Sequence, residues 1–229
     1  MKFLKSFTVF EYCLWTVSVV AIVLSFFLCG NTDYLNLAGS LLGATALIFV
    51  SKGNVVGQIL SVVFAAYYGF VSYYMHYYGE MITYLGMTAP IAIAAVISWL
   101  RHPFQGNKAE VTVRSLRARE YIIIFALAAA VTAAFYFILA ALNTANLIWS
   151  TVSVTTSFIA VALTFRRSPF YAIGYACNDI VLIVLWSLAA AQNTEYICLV
   201  VCFCVFLAED TYGFINWLRI GKRQKESRP

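Results

Sequence analysis

Three acidic side chains stand inside apolar stretches of this chain, Asp179 in one stretch and the adjacent Glu209 and Asp210 in another. A charge at the centre of a bilayer costs roughly 3 kcal/mol on insertion scales, so such acids usually face a bundle interior or a wet cavity. No Lys or Arg stands at a matching depth to pair with them. They are therefore protonated, or solvated, or paired with a cationic ligand, and nearby aromatic rings favour a flat cation.

Helical spacing adds further polar and aromatic candidates to these acids. Asp179 and Trp186 lie two turns apart on one face, which Asn178 flanks. Interhelical hydrogen bonding is the structural alternative for each residue. The set suits a ligand with hydroxyls, an amide and a flat ring. The candidate binding residues are Gln58, Tyr68, Tyr84, Thr88, Asn178, Asp179, Trp186, Glu209, Asp210 and Asn216.

Eight apolar segments must position these side chains. The chain has 229 residues, of which 62% are hydrophobic and 11% charged. A soluble domain is nearer half apolar and a quarter charged, whereas a membrane-spanning helix needs about 20 mostly apolar residues. We therefore predict an all-α integral membrane protein with eight transmembrane helices, near residues 9–29, 34–50, 53–75, 81–100, 120–142, 147–165, 169–191 and 195–217.

The basic residues predict the orientation of these helices. Cytoplasmic loops carry an excess of Lys and Arg, and with this helix count all 15 fall on one side, which places both termini in the cytoplasm. Of the Asp, Glu, Lys and Arg residues, the opposite loops hold only acids, namely Asp33, Glu80 and Glu195. Because the bases are divided among short loops, they do not predict nucleic-acid binding.

The two halves of the chain are similar to each other. Residues 97–101 (ISWLR) end the fourth segment, and residues 215–219 (INWLR) end the eighth. A parallel repeat of this kind is a transporter plan that places the substrate near the midplane, although chance similarity between apolar helices is the alternative. We predict an extra helix in 1–30, a first three-helix bundle and cytoplasmic loop in 31–119, a linker helix in 120–143, and a second bundle with a basic tail in 144–229.

Two features at the predicted cytoplasmic side receive structural interpretations. Trp99 and Trp217 stand where aromatic residues anchor helices at the membrane interface. The loop of residues 101–119 is basic and mildly amphipathic, and we interpret it as a solvated connector in preference to a regulatory segment.

Catalytic and cofactor motifs are absent from the sequence. It has no nucleotide-binding Walker or GxGxxG sequence and no HExxH metal motif. The six cysteines lack the paired spacing of a metal site and are interpreted as packing residues. We therefore expect no enzyme activity, no cofactor and no metal.

Three stretches resemble the PnuC family of nicotinamide riboside transporters: residues 177–186 (CNDIVLIVLW), 210–217 (DTYGFINW) and 98–103 (SWLRHP) with the segment that follows. The resemblance implies a SWEET-like core of three, one and three helices and facilitated diffusion of nicotinamide riboside. It further implies a bacterial inner membrane, a homotrimer, and a cytoplasmic kinase that traps the substrate. One departure is Glu209, where the family often has Asn.

Other functions stay open at this point. A carrier of thiamine or of another flat vitamin such as riboflavin is the nearest alternative to a nicotinamide riboside carrier. An intramembrane enzyme or a structural membrane protein is less favoured. A structural protein predicts that the intramembrane polar groups face protein only, with no cavity between the halves.

Overall fold

A computed structural model describes residues 7–74 and 78–227, without the side chain of Lys108. In this part of the chain, eight helices are long and apolar enough to cross a membrane, which confirms the all-α prediction. Lys2, Lys5, His76 and Arg228 lie outside the described residues. The helices are α1 (Val9–Leu28), α2 (Tyr34–Ser51), α3 (Val55–Tyr74), α4 (Tyr78–Arg101), α5 (Ala118–Ala141), α6 (Leu147–Phe165), α7 (Tyr171–Ala190) and α8 (Ile197–Glu226).

Two helix boundaries show how polar residues set the elements. Helix α2 begins after Asp33, whose side chain accepts hydrogen bonds from the backbone N–H groups of Leu35 and Asn36, as an N-cap does. Helix α8 continues to Glu226, well past the predicted end at residue 217. Hydropathy falls where the apolar run stops, but the helix goes on because its last turns carry Lys and Arg, which the negative end of the helix dipole favours.

Six of the helices form a closed ring. Around the ring each packs against the next in the order α2, α3, α4, α6, α7, α8, and α8 packs against α2. The first helix of each predicted triplet thus contacts the last helix of the other, as a parallel repeat requires. Helix α5 packs on the outside of α6, and α1 lies over α2 and α8. The domain boundaries within this ring stay a prediction.

A buried ion pair holds the extra helix α1 against the ring. The Glu11 side chain is 2% exposed, and its carboxylate accepts from Lys52 Nζ at 2.7 Å and from Tyr212 Oη at 2.9 Å. Lys52 follows α2 and Tyr212 lies in α8. One carboxylate therefore joins three helices at the end of the bundle that carries the basic loops, which we call the basic end.

Trp99 and Trp217 join the two triplets at the basic end. Both are 0% exposed, and their ring centroids are 5.4 Å apart. Trp99 Nε1 donates to the Thr164 carbonyl of α6 at 3.0 Å, and Trp217 Nε1 donates to the Val50 carbonyl of α2 at 2.9 Å. The prediction that they anchor the chain at the membrane interface is wrong, because each indole points into the opposite triplet and away from lipid.

Residues 103–116, which we call the strap, cross the basic end. The strap begins as an antiparallel pair of strands, β1 (Pro103–Phe104) and β2 (Asn107–Val111). Val111 N donates to the Gly53 carbonyl at 3.0 Å, and Arg114 N donates to the Arg167 carbonyl at 3.0 Å. The strap therefore bonds to the turn after α2 and to the turn after α6.

The C-terminal extension of α8 also bonds to the strap. Gln224 is 2% exposed, its Nε2 donates to the Val111 carbonyl at 2.9 Å, and its Oε1 accepts from Val113 N at 2.8 Å. The interpretation of the loop as a solvated connector is wrong. Its backbone is paired with both triplets, a long-range feature that its basic composition does not reveal.

Close helix packing at one glycine of the first triplet predicts a large effect on stability. A Cβ atom on Gly57 would lie 2.4 Å from the backbone N of Val50, so α2 and α3 would have to separate. We expect Gly57→Ala to lower the free energy of unfolding by about 1–3 kcal/mol. Thermal unfolding of the purified chain in detergent measures it. Gly86→Ala is the control, because its nearest neighbour would be 3.7 Å away, and equal midpoints for the two variants would contradict the prediction.

Candidate functional site

A cavity of about 570 Å³ lies inside the six-helix ring. All six ring helices contribute to its lining. It ends at the basic end against the buried cluster that contains Trp99, Tyr171 and Trp217. In the other direction its lining reaches Tyr78, Asn146 and Tyr196, at the end of the bundle opposite to the basic loops. The cavity therefore extends toward the opposite end and is closed at the basic end.

Eight of the ten candidate residues from the sequence line this one cavity. Two come from α3, two from α4, three from α7 and one from α8, so the structure brings together side chains that are far apart in the chain. They are Gln58, Tyr68, Tyr84, Thr88, Asn178, Asp179, Trp186 and Asp210. Their roles toward a ligand stay a prediction.

Glu209 and Asn216 do not line the cavity. Successive residues of a helix point about 100° apart, so Asp210 faces the cavity while Glu209, at 1% exposure, lies beside Ser18 of α1. Asn216 Nδ2 donates to the Ser51 carbonyl at 2.9 Å, which gives it a structural role between α8 and α2.

Asp179 and Asp210 form the acidic centre of the cavity. They are 4% and 3% exposed, and both line the cavity, Asp179 from α7 and Asp210 from α8. Asp179 Oδ2 has no hydrogen-bond partner in the described part of the chain. Among residues 7–74 and 78–227, no Lys, Arg or His lines the cavity. The countercharge for this pair is therefore one that a ligand can supply.

Glu80 is a third acid in the cavity lining, although its position in the sequence predicts a loop. It lies in the first turn of α4, and Ser72 Oγ donates to its carboxylate at 3.5 Å. Glu80 and Tyr84 are one helical turn apart, so their shared face was a signal in the sequence. Helix α4 then passes through a π-helical stretch, Thr83–Thr88, a distortion often found at functional sites.

Aromatic rings line two walls of the cavity. On the first wall, the Tyr68 ring centroid is 4.8 Å from that of Phe64 and 5.3 Å from that of Tyr84. On the second, the centroids of Trp186 and Tyr196 are 5.5 Å apart. Phe64 and Tyr196 were not among the candidates, because aromatic residues in apolar segments carry no distinguishing signal. Both walls offer π faces to a flat ring or a cation.

Three hydroxyl groups of α6 orient Asn178. Its Oδ1 accepts from Ser153 Oγ at 3.1 Å, from Thr156 Oγ1 at 2.8 Å and from Ser157 Oγ at 3.0 Å. These bonds occupy the carbonyl oxygen of the amide, so its NH₂ group is the part left for a ligand acceptor. Ser153 and Ser157 also line the cavity. Their spacing of one helical turn was visible in the sequence, but their partner in α7 was not.

Among the described residues, no group of three or more His, Cys, Asp or Glu side chains is placed to hold a metal ion. What the cavity offers chemically is negative charge, π faces and amide and hydroxyl hydrogen-bonding groups, which together suit the recognition of a flat, hydroxylated cation.

Known proteins are similar to this chain over most of its length. A family model described as nicotinamide mononucleotide transporter matches residues 33–219. The nicotinamide riboside transporter PnuC of Neisseria mucosa is 27% identical over 214 residues, which cover 91% of this chain and 81% of that protein. A crystal structure of the vitamin B3 transporter PnuC superimposes with a TM-score of 0.80 at 25% identity, covering 96% of this chain and 94% of that one.

Proposed function

Because the chain belongs to the nicotinamide mononucleotide transporter family, we propose that it carries nicotinamide riboside across a membrane by facilitated diffusion. The protein is a multi-pass membrane transporter and not an enzyme. The names of its relatives point to two cargoes, the mononucleotide and the riboside, which differ by a phosphate group.

The charged side chains of the cavity lining favour one of these two cargoes. Nicotinamide riboside has a flat pyridinium cation, a carboxamide and ribose hydroxyls. The mononucleotide adds a phosphate of about −1.5 to −2 charge at pH 7. Glu80, Asp179 and Asp210 line the cavity, and no basic side chain accompanies them within residues 7–74 and 78–227. A lining without a basic side chain leaves the charge of the phosphate unpaired, and a buried unpaired charge is costly, so the cavity favours the riboside.

The candidate residues receive specific roles in this proposal. Trp186 stacks on the nicotinamide ring, with Tyr68 and Tyr84 on the facing wall. Asp179 and Asp210 supply the negative field for the pyridinium charge. Other polar groups hydrogen-bond the carboxamide and the ribose; these are Gln58, Thr88 and the NH₂ group of Asn178.

The proposal also covers the direction of transport and the trapping of the substrate after entry. The basic end faces the cytoplasm of a bacterial inner membrane, by the excess of Lys and Arg there, with both termini on that side. Since the sequence has no ATP-binding motif, net uptake depends on a cytoplasmic kinase that phosphorylates the riboside after entry. The resemblance also supports a homotrimer, and a mass of three chains for the detergent-purified protein would support that assembly.

Uptake into liposomes tests the proposed cargo. The purified chain is reconstituted, and entry of labelled nicotinamide riboside is followed with and without a riboside kinase and ATP inside. We expect saturable uptake to equilibrium without the kinase and continued accumulation with it. Unlabelled nicotinamide mononucleotide should compete weakly. The absence of protein-dependent riboside uptake in both preparations would refute the proposal.

The thiamine alternative is tested by competition in the same assay. Thiamine is also a flat cation, so the charge of the cavity alone does not separate it from the riboside, whereas riboflavin is neutral and lacks that match. Stronger competition by thiamine than by unlabelled riboside would favour the alternative. A purely structural membrane protein predicted no cavity between the halves, and the structure contains one of about 570 Å³.

Trp186 gives a direct test of ring stacking. We expect Trp186→Ala to weaken riboside binding at least about tenfold, or about 1.4 kcal/mol, because the indole face is lost from the second aromatic wall. Equilibrium binding to the purified protein measures it. Trp149→Ala is the matched control, since Trp149 lies outside the cavity lining and is 38% exposed. Equal affinities for the two variants would show that Trp186 only packs.

A further inference from the structure

A second pocket lies on the basic end, separate from the central cavity. It is lined by the strap, by the turn between α6 and α7, and by the C-terminal extension of α8. Four of its lining residues are cationic at neutral pH: Arg114 from the strap, Arg167 from the turn, and Lys222 and Lys225 from α8. Within the described residues, no Asp or Glu lines this pocket.

Arg167 is the least exposed of these cations. It is 8% exposed, and its Nε has no hydrogen-bond partner in the part of the chain that the structure describes. A buried guanidinium N–H without an acceptor is costly, because the group has lost water and gained nothing in exchange. The unpaired Nε therefore indicates an acceptor that comes from outside the chain.

The backbone at Arg167 has a conformation that side-chain-bearing residues adopt infrequently. Its φ is +60°, in the left-handed region, where a side chain costs roughly 1–2 kcal/mol. The corresponding turn after α2 has Gly53 at φ +66°, as expected at the end of a helix. Arginine thus occupies a position where the backbone favours glycine.

The charges around Arg167 do not balance. Arg114 forms an ion pair with Glu120 at 2.9 Å, and Arg166 pairs with the same carboxylate. One acid thus serves two guanidinium groups, and within the described residues no Asp or Glu is paired with Arg167. Burial, followed by the proximity of Arg114 and Arg166, lowers the pKa of Arg167. On α8, Lys222 Nζ lies 4.0 Å from a carboxylate oxygen of Glu226, and Lys225 forms no ion pair among the described residues.

We propose that this pocket binds a phosphate group, with Arg167 as the central donor and Arg114, Lys222 and Lys225 around it. Guanidinium groups match phosphate oxygens in geometry as well as in charge. The group could belong to a soluble phosphorylated compound or to an anionic lipid headgroup, which share this chemistry. Because the ligand would bridge the strap, the α6–α7 turn and α8, it would stabilise the closed basic end.

Thermal unfolding of the purified full chain tests the site. The first arm compares sodium phosphate with sodium chloride at equal ionic strength. The second compares nanodiscs of phosphatidylcholine with nanodiscs that also contain phosphatidylglycerol. We expect one arm to raise the unfolding midpoint by about 5 °C near saturation. A shift with phosphate identifies a soluble ligand, and a shift only with phosphatidylglycerol identifies a lipid headgroup.

Three variants separate a built site from general surface charge. Arg167→Gly should keep the fold, because glycine adopts this φ without strain and the carbonyl that binds the strap remains. It should lose the ligand-induced shift, as should Lys225→Gln, which changes an exposed side chain. Arg119→Gln removes an exposed charge outside the pocket and should keep the shift. No shift in either arm, or equal shifts in Arg167→Gly and Arg119→Gln, would overturn the proposal.

Discussion

Replacing Asp179 with Asn is expected to weaken nicotinamide riboside binding about 100-fold, which corresponds to about 2.7 kcal/mol. The carboxylate is 4% exposed, its Oδ2 has no hydrogen-bond partner in the described part of the chain, and no basic side chain there lines the cavity. A pyridinium cation would be its countercharge, and hydrogen bonds or contacts to a charged group in a desolvated site carry energies of this size. Equilibrium binding of labelled riboside to the purified variant measures the loss.

Glu209→Gln is the matched control for this prediction. It also neutralises a buried carboxylate in the same part of the bundle, but Glu209 faces α1 and does not line the cavity. The affinity of the Glu209→Gln variant for the riboside should stay near that of the unchanged protein. If Glu209→Gln lost as much affinity as Asp179→Asn, the effect would come from the summed charge of the region and not from contact in the cavity.

The second large effect concerns stability at the basic end. Trp217→Ala is expected to lower the free energy of unfolding by about 3–5 kcal/mol, because a fully buried aromatic side chain is removed from a packed cluster. Trp217→Phe keeps most of the volume and removes the Nε1–H bond to Val50, so its cost should be nearer about 1 kcal/mol. Thermal or denaturant unfolding of the purified variants provides the comparison.

The repeat supplies an internal control for Trp217. Trp99 has the reciprocal bond to Thr164 and the same lack of exposure, so Trp99→Ala should cost as much as Trp217→Ala. Trp149→Ala should cost far less, since Trp149 is 38% exposed. A Trp217→Ala protein as stable as Trp149→Ala would show that the indole is not a structural element of the closed end.

The sequence predicts the parts of this molecule that depend on composition and on the cost of charge. The eight helices follow from hydropathy. Asp179 and Asp210 stand out in the sequence because an acid inside an apolar segment is costly unless it has a structural or binding role. Glu80 was missed, since it stands at the edge of its segment, where an acid costs little. The same argument selected Glu209, because a carboxylate that faces α1 and one that faces the cavity look alike in the sequence.

Long-range pairing explains what the sequence could not provide. The direction of the Trp99 and Trp217 side chains depends on which helices surround them, and a position at the membrane boundary predicts only the depth. The strap looked solvated because its residues are basic, yet its backbone N–H groups bond to turns that are far away in the chain. Likewise, the three hydroxyl groups that orient Asn178 lie on another helix, so their common partner appears only after folding.

The crossed indole bonds also bear on how this carrier turns over. Since Trp99 bonds to a helix of the second triplet and Trp217 to a helix of the first, separating the triplets at this end breaks both bonds in one event. Opening this end therefore costs two buried hydrogen bonds together with the packing of the two indoles. Because the basic end is closed in this structure, the cavity that extends toward the other end does not continue through the bundle as an aqueous pore.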